Sequence, residues 1–360
     1  MIDNMNITFI LPGPGKHPVG GFKVVYEYAN HLTDRGHIVT IVHPAMLEID
    51  TQWRDRPKKW ARYVQRRFDK SYFPSKWFHL DNRVQMRWVP SLVEKNIPDA
   101  DVVIATAWQT ADWIARYGKR KGRKYYFIQD IEDWSGSKDC VLATWQLPMR
   151  KIVISKWLRD IAEQLGQTST YIPNGLDFLA FGVDNAFDKR ASHSVLMLNH
   201  HLERKGIGDG LAALDIARQH YPDLEVTLFG VPEGKILPKW ITYYRTPNQK
   251  RLRGLYNNTA IFLAPSRSEG WGLTASEAMM CGAAVVGTNI GGHCEFMVDG
   301  VTALLAPARD PTALAKRLLI LLSNFDLRVN IARNGHQFIQ RFTWDKAVDA
   351  FEATLLQESA

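Results

Sequence analysis

The sequence predicts an α/β protein built from two Rossmann-like, doubly wound domains facing across a cleft. Three observations carry this expectation. Short β-branched runs alternate with helix-patterned stretches along the whole chain, which implies parallel sheets and right-handed crossovers. Several of the runs are apolar throughout, as strands covered on both faces must be. Turn residues at Pro173-Asn174-Gly175 then lead into a polar stretch ending at Ser194, after which a second strand series begins. A chain of 360 residues is long enough for two such domains, each with its own core.

Taken in order, the expected strands are residues 6–11, 38–43, 101–105, 125–128 and 151–155, then 195–198, 225–230, 261–264 and 284–287. Between them, 22–35 places Phe22, Val25, Ala29 and Leu32 on one helical face, and 208–220 also reads as helix. Ligands of such folds sit at the carboxyl ends of the strands, here in the cleft between the halves.

Composition narrows the function classes. With 46% hydrophobic, 11% aromatic and 23% charged residues the chain is globular rather than disordered, and no apolar run is long enough to cross a bilayer. The start, MIDNMNITFILPGPG, lacks a basic lead-in, a long apolar stretch and a small-residue cleavage site, so a cytoplasmic location is expected. Cys140, Cys281 and Cys294 have no Cys-x-x-Cys spacing, which fits a reducing compartment without a structural metal. The net charge of +8 is a patch: residues 51–90 hold 11 Lys/Arg against three Asp/Glu. Within it Trp60, Tyr63, Val64 and Phe68 recur at helical spacing while Lys59, Arg62, Arg66 and Lys70 face elsewhere, flanked by Trp53, Trp77 and Trp88. Such a helix suits an anionic membrane surface, and equally a solvated basic face over a core helix. Interleaved aromatics also suit a phosphate backbone, but no nucleic-acid-binding motif accompanies them.

The most informative stretch is Ser268-Glu269-Gly270-Trp271-Gly272-Leu273-Thr274-Ala275-Ser276-Glu277-Ala278-Met279, after the strand 261–264. Thr274 as N-cap with Glu277 three residues on forms a capping box. A strand, a loop with two glycines and a new helix start expose backbone N–H groups that favour a phosphate. Carboxylates beside a phosphate repel it, so Glu269 and Glu277 are expected to accept hydrogen bonds from hydroxyls. The expected ligand is a sugar attached to a phosphate.

This stretch resembles the Glu-x7-Glu signature of the retaining glycosyltransferases of family 4, whose fold is GT-B. The likeness continues through Cys281-Gly282-Ala283-Ala284-Val285-Val286-Gly287-Thr288 and Gly291-Gly292. A bare glutamate pair is uninformative; the surrounding residues make the match specific. The resemblance implies that Glu269 contacts the transferred sugar, that the backbone of Gly270, Trp271, Gly272, Leu273 and Thr274 holds sugar and phosphate, and that Glu277 holds the ribose. In Asn199-His200-His201-Leu202-Glu203-Arg204-Lys205-Gly206, Lys205-Gly206 is similar to the family's Lys-Gly, whose ammonium neutralises the diphosphate. The family's further Arg falls at Asn199 or His200, with Arg204 as a substitute from the neighbouring position; the two histidines fit plain loop residues equally well.

In Pro12-Gly13-Pro14-Gly15-Lys16-His17-Pro18-Val19-Gly20-Gly21, a triphosphate loop is excluded by Ile10 and His17, and a dinucleotide fingerprint by Pro18. What remains is a glycine pair opening a helix; the resemblance implies that Gly20-Gly21 faces the donor phosphate. Where many relatives carry a His, this chain has Gln129 and Asp130, so Asp130 is expected to bind sugar hydroxyls, or with Glu132 and Asp133 to form a solvated loop. Base recognition is expected near Tyr244 and Arg245 by the same analogy. Weaker echoes are Ser155-Lys156-Trp157-Leu158, Ile172-Pro173-Asn174-Gly175 with Asp177, and Phe342-Thr343-Trp344.

The resemblance implies an acceptor domain (1–173), a nucleotide-sugar domain (174–343) and a last helix (344–360) crossing back onto the first. It implies sugar transfer from a nucleoside-diphosphate sugar to a hydroxyl of a glycan or lipid-linked acceptor, retaining configuration, as in polysaccharide or glycolipid synthesis. No cofactor, metal or nucleic acid is expected; peripheral attachment at an inner membrane face is. Two rivals stand beside this reading: an epimerase or hydrolase acting on nucleotide-sugars, and a non-catalytic protein binding polyanions or membranes.

Overall fold

The computed structural model describes residues 4–16, 18–47, 56–231 and 237–357. The chain divides into two compact units, Met1–Gly175 with Asp345–Ala360, and Leu176–Trp344. In the first unit, strands β1 (Asn6–Ile10), β2 (Ile38–Met46), β3 (Gln85–Ser91), β4 (Val102–Ala105), β5 (Arg123–Ile128), β6 (Arg150–Val153) and β7 (Ser169–Tyr171) form one sheet. Its order is β3-β2-β1-β4-β5-β6-β7, with every neighbouring pair parallel. The connecting helices are α1 (Gly20–Asp34), α2 (Arg56–Asp69), α3 (Trp108–Ala115), α4 (Lys138–Trp145) and α5 (Lys156–Gln164).

The second unit repeats the plan. Strands β8 (Ala191–Asn199), β9 (Glu225–Gly230), β10 (Ile241–Arg245), β11 (Thr259–Ala264), β12 (Ala284–Thr288) and β13 (Leu304–Ala306) are ordered β10-β9-β8-β11-β12-β13, again all parallel. Helices α6 (Ile207–His220), α7 (Gln249–Asn258), α8 (Leu273–Met280), α9 (Pro311–Ser323) and α10 (Phe325–Ile339) belong to it, and α11 (Trp344–Leu356) follows. Strand order reverses between β1 and β4 in one sheet and between β8 and β11 in the other, which marks each unit's ligand crevice.

Every strand expected from the sequence is an interior strand of one of these sheets. The four it did not foresee among the described residues, β3, β7, β10 and β13, are the four edges. Their signal in the sequence is weaker: β3 reads QMRWVPS, which mixes polar, charged and apolar residues, and β7 and β13 have only three residues each. Ile7, Phe9, Val103 and Phe127 are fully buried in the first core. In the second, Met197, Leu228, Leu263 and Val286 pack with Leu214 and Leu318.

Chain crossings between the units lie side by side, since the Leu176 N–H donates to the Phe342 carbonyl at 2.9 Å. After the second crossing, α11 closes over the first unit's core. The ring of Phe351 stacks on Tyr28 at 4.3 Å and meets Phe127 edge-on at 5.5 Å. A polar latch flanks it. Arg35 donates to Glu352 and Asp349 at 2.5 Å each, and His37 Nε2 lies 2.7 Å from Glu352 Oε1. Because the Met5 N–H donates to His37 Nδ1 at 3.1 Å, Nε2 is the nitrogen that carries the proton to Glu352.

On α2, Tyr63 turns inward, its backbone carbonyl accepting from Trp88 Nε1 at 3.0 Å, whereas Trp60, Val64 and Phe68 face solvent. Phe68 is 83% exposed. Arg62, Arg67 and Lys70 are exposed too; by helix geometry Arg67 flanks this row, Arg62 lies on the other side of α2, and Lys70 follows its end. His17, residues 51–55 with Trp53, and the Lys59 side chain lie outside the described residues. Among the described residues no helix is long and apolar enough to cross a membrane.

Phe351→Ala should destabilise the first unit by about 3–5 kcal/mol, the range for emptying a buried aromatic site. Denaturant unfolding followed by near-ultraviolet circular dichroism measures this; a loss below about 1 kcal/mol would mean that α11 is not part of that core.

Candidate active site

The second unit's crevice is formed by the loops that follow β8 and β11. They are fastened to each other at several points. Gly206 adopts φ 64°, and a Cβ there would lie 1.9 Å from the Pro265 carbonyl oxygen, so only glycine lets the loops close. The Arg204 carbonyl accepts from the Arg267 N–H at 2.7 Å, and the Arg204 guanidinium donates to the Ser268 carbonyl at 3.3 Å. Arg267 grips Asp209 of α6 with two nitrogens, at 2.8 and 2.9 Å, and reaches Glu203 at 2.5 Å.

At the centre, Lys205 Nζ donates to both oxygens of Glu269, at 2.6 and 2.8 Å, and Ser266 Oγ donates to Oε1 at 2.8 Å. Glu269 is only 9% exposed. Burial pushes its carboxyl up, but the charges of Lys205 and then Arg204 outweigh this and hold it below the usual carboxylate range, so it is ionised. Behind it His293, 1% exposed, lies with Nδ1 2.9 Å from the Thr288 carbonyl; burial keeps its imidazole low and neutral. His200 is pushed down to about 4 by burial and then by the Lys205 charge. Its Nδ1 accepts from the Leu202 N–H at 3.1 Å and its ring stacks on His201 at 4.6 Å.

The helix start corrects one expectation. Thr274 is not the N-cap: α8 begins at Leu273, and the cap position is Gly272 with φ 110°. The position demands glycine, because a Cβ would lie 2.9 Å from His293 Cδ2. The first intrahelical bonds run from Ala275 and Ser276 to the Gly272 carbonyl, so the amides of Leu273 and Thr274 precede the ladder. The position three residues beyond the cap is Ala275, so Glu277 is not the capping-box partner. Buried within α8, it accepts from the Tyr256 hydroxyl at 3.1 Å, a partner on α7 that no local pattern shows. The Trp271 side chain packs inward, its Nε1 donating to Ser276 Oγ at 3.0 Å. Trp271 and Gly270 can therefore offer the crevice only backbone.

Asn199, Gly230 and Arg245 stand in one register row across β8, β9 and β10 at the same carboxyl edge. This places Asn199 beside the Lys205 loop, and Arg245 two strands away, roughly 10 Å by ordinary strand spacing.

In the first unit, Gly20 and Gly21 open α1 and meet the end of β5: Gln129 Nε2 donates to the Gly21 carbonyl at 3.1 Å. A Cβ on Gly21 would lie 3.4 Å from that amide. Asp130 Oδ1 accepts from the Ile131 N–H at 2.9 Å. Glu132, at φ 61°, accepts from the Trp108 N–H at the start of α3, a structural role. The preceding glycine loop is clamped from below. His43 bonds the Gly13 carbonyl, and Trp77 Nε1 donates to the Gly15 carbonyl at 2.8 Å.

Comparison with known proteins gives a consistent result. Residues 189–338 match the family model described as glycosyl transferases group 1. An uncharacterized glycosyltransferase of Methanocaldococcus jannaschii is 27% identical over 209 residues, spanning 55% of this chain and 56% of that protein. The phosphatidyl-myo-inositol mannosyltransferase of Mycolicibacterium smegmatis is 23% identical over 364 residues, 94% of this chain and 90% of the relative. Among solved structures, Anabaena HepE in complex with UDP and glucose superposes with a TM-score of 0.74 at 16% identity, covering 98% of this chain and 99% of its own.

His43 and His200 both titrate at about 4 in the folded chain against 6.5 when unperturbed, burial being the main cause. Between those values the unfolded chain binds protons that the folded chain refuses, so stability should fall as pH drops from 6.5 toward 4. Urea unfolding across that interval should show the decline, and His200→Asn should make it shallower. An equal slope in that variant would remove His200 from the account.

Proposed function

We propose, for a chain whose second unit belongs to the group 1 glycosyl transferases and whose two units carry the GT-B fold, that it moves a sugar from a nucleoside diphosphate to an acceptor hydroxyl with retained anomeric configuration. The observation that carries this reading is the Lys205–Glu269 pair, held at the strand-order reversal beside the start of α8. An ammonium and helix-start amides address the diphosphate, while an ionised carboxylate addresses sugar hydroxyls. Two of the three ammonium protons of Lys205 point at Glu269, and the third is left for a phosphate oxygen. Glu277, fixed by Tyr256, is assigned to the ribose, and Asn199, Arg204 and Arg245 to the nucleotide side.

The chemistry follows from these charges. As the bond between anomeric carbon and phosphate oxygen breaks, its electron pair passes to the diphosphate, which Lys205 and the Leu273 and Thr274 amides stabilise. The acceptor hydroxyl adds to the same face, and its proton goes to the departing diphosphate, so no protein nucleophile is used. The side chain and helix dipole supply the positive charge, and no cofactor takes part. Gly20, Gly21 and Asp130 are assigned to the first unit's part in donor and acceptor binding.

We assign a lipid-linked acceptor at an anionic membrane surface, because Trp60, Val64 and Phe68 form an exposed apolar row with exposed Arg67 next to it, on a segment rich in Lys and Arg. A relative named for a phosphatidyl-myo-inositol acceptor supports this choice.

Supplying donor with and without acceptor, then analysing the anomer formed, tests the reaction directly; epimerised or hydrolysed sugar in the absence of acceptor would favour the rival enzymes. Lys205→Ala should lower turnover at saturating donor by about 10²–10³, and near-normal turnover would remove its leaving-group role. Sedimentation with phosphatidylglycerol vesicles should bind the protein at low salt, weaken as salt rises, and weaken in Phe68→Ser. Absence of binding at low salt would refute the membrane assignment.

A further inference from the structure

The carboxylate of Glu269 is not held symmetrically. Oε1 receives both the Ser266 hydroxyl at 2.8 Å and Lys205 at 2.6 Å, which fills its two acceptor directions. Oε2 receives Lys205 at 2.8 Å and keeps a second direction. Ser266 has one hydroxyl proton, and it goes to Glu269. The residue is itself fixed from behind: its carbonyl accepts from Thr288 Oγ1, and His293 Nδ1 lies 2.9 Å from the Thr288 carbonyl and 3.3 Å from Thr288 Oγ1. Ser266 is 7% exposed and Thr288 2%, so water does not readily replace either contact. Because His293 also lies against Gly272, one buried imidazole braces both ends of the loop that carries Glu269.

We propose that Ser266 is a positioning residue that divides the two oxygens of Glu269, keeping Oε1 for the protein and presenting Oε2 to a hydroxyl of the donor sugar. The proposal rests on the donor reading given above. Its physical reason is the ammonium that both parties want. A diphosphate entering the crevice draws on Lys205, and a glutamate held by Lys205 alone would be pulled with it or would compete with the phosphate. The Ser266 bond does not involve the ligand, so Glu269 stays aimed while Lys205 changes partner. Loss of that bond should weaken recognition of the sugar and leave recognition of the nucleotide intact.

The test compares two affinities in each protein by titration calorimetry: the nucleoside diphosphate, out of the uridine, guanosine, adenosine, cytidine and thymidine compounds, that the wild type binds most tightly, and the corresponding diphosphohexose. Ser266→Ala should weaken binding of the diphosphohexose about 10-fold while the nucleoside diphosphate stays within about 2-fold, and Ser266→Thr, which restores a hydroxyl, should recover most of the loss. Thr288→Val, which keeps the side-chain shape and removes only the hydroxyl behind Ser266, should shift the same ratio in the same direction. A parallel loss for both ligands with a lowered melting temperature would make Ser266 merely structural and overturn the proposal. So would unchanged affinity for both. A wild-type protein that binds neither ligand would instead overturn the donor reading, and this assignment with it.

Discussion

The second unit is organised around one demanding contact, a largely buried ammonium against a largely buried carboxylate. Such a pair is costly to desolvate and stabilises only when its geometry is good and its remaining polar atoms are partnered. Much of the surrounding structure supplies those conditions. Gly206 allows the β8 loop to touch the β11 loop, Arg267 ties the β11 loop to α6, and Arg204 is spread over the backbone of the opposite loop. The polar centre is therefore not an isolated pair. It is the joint at which two crossover connections of a parallel sheet are held together, and strand-order reversal is what leaves the space for it.

The parts legible in the sequence are those determined by short-range pattern. Interior strands announce themselves because both faces are buried, whereas edge strands such as β10, ITYYR, mix exposed and covered positions and resemble loops. The loop from Ser268 to Thr274 is legible because a strand, two glycines and a helix start lie within a few residues of each other. What makes that loop work is not. The Ser266–Thr288 bond depends on β11 and β12 being neighbours, and the Tyr256 contact to Glu277 depends on how α7 packs on α8. The N-cap is not legible for a related reason: Thr274 has the right chemistry, but His293, some twenty residues on, requires a residue without a side chain at Gly272. Distant packing overrode a sound local rule.

The basic, aromatic segment is also more integrated than its composition suggests. Trp88 stacks on Tyr72 at 5.3 Å and donates to the Tyr63 carbonyl, and the Tyr72 carbonyl accepts from the Gly15 N–H at 3.1 Å. Trp77 holds the other side of Gly15, where a Cβ would collide with the Tyr26 hydroxyl. A continuous run of packed rings and backbone bonds thus leads from α2 to the glycine loop ahead of Gly20 and Gly21. The face of α2 that turns inward is part of the scaffold for that loop, and only its outer row is left for other partners.

The return of α11 to the first unit has a consequence for how the protein is made. Residues up to Gly175 leave the ribosome first, yet the slot lined by Phe9, Tyr28 and Phe127 is filled by Phe351, which is translated only after the whole second unit. At about 5–20 residues per second, the intervening stretch takes roughly 9–35 s to synthesise. Throughout that time the nascent first unit carries an open aromatic groove, so it must either wait in a partly formed state or be shielded by a chaperone until its own tail arrives to complete it.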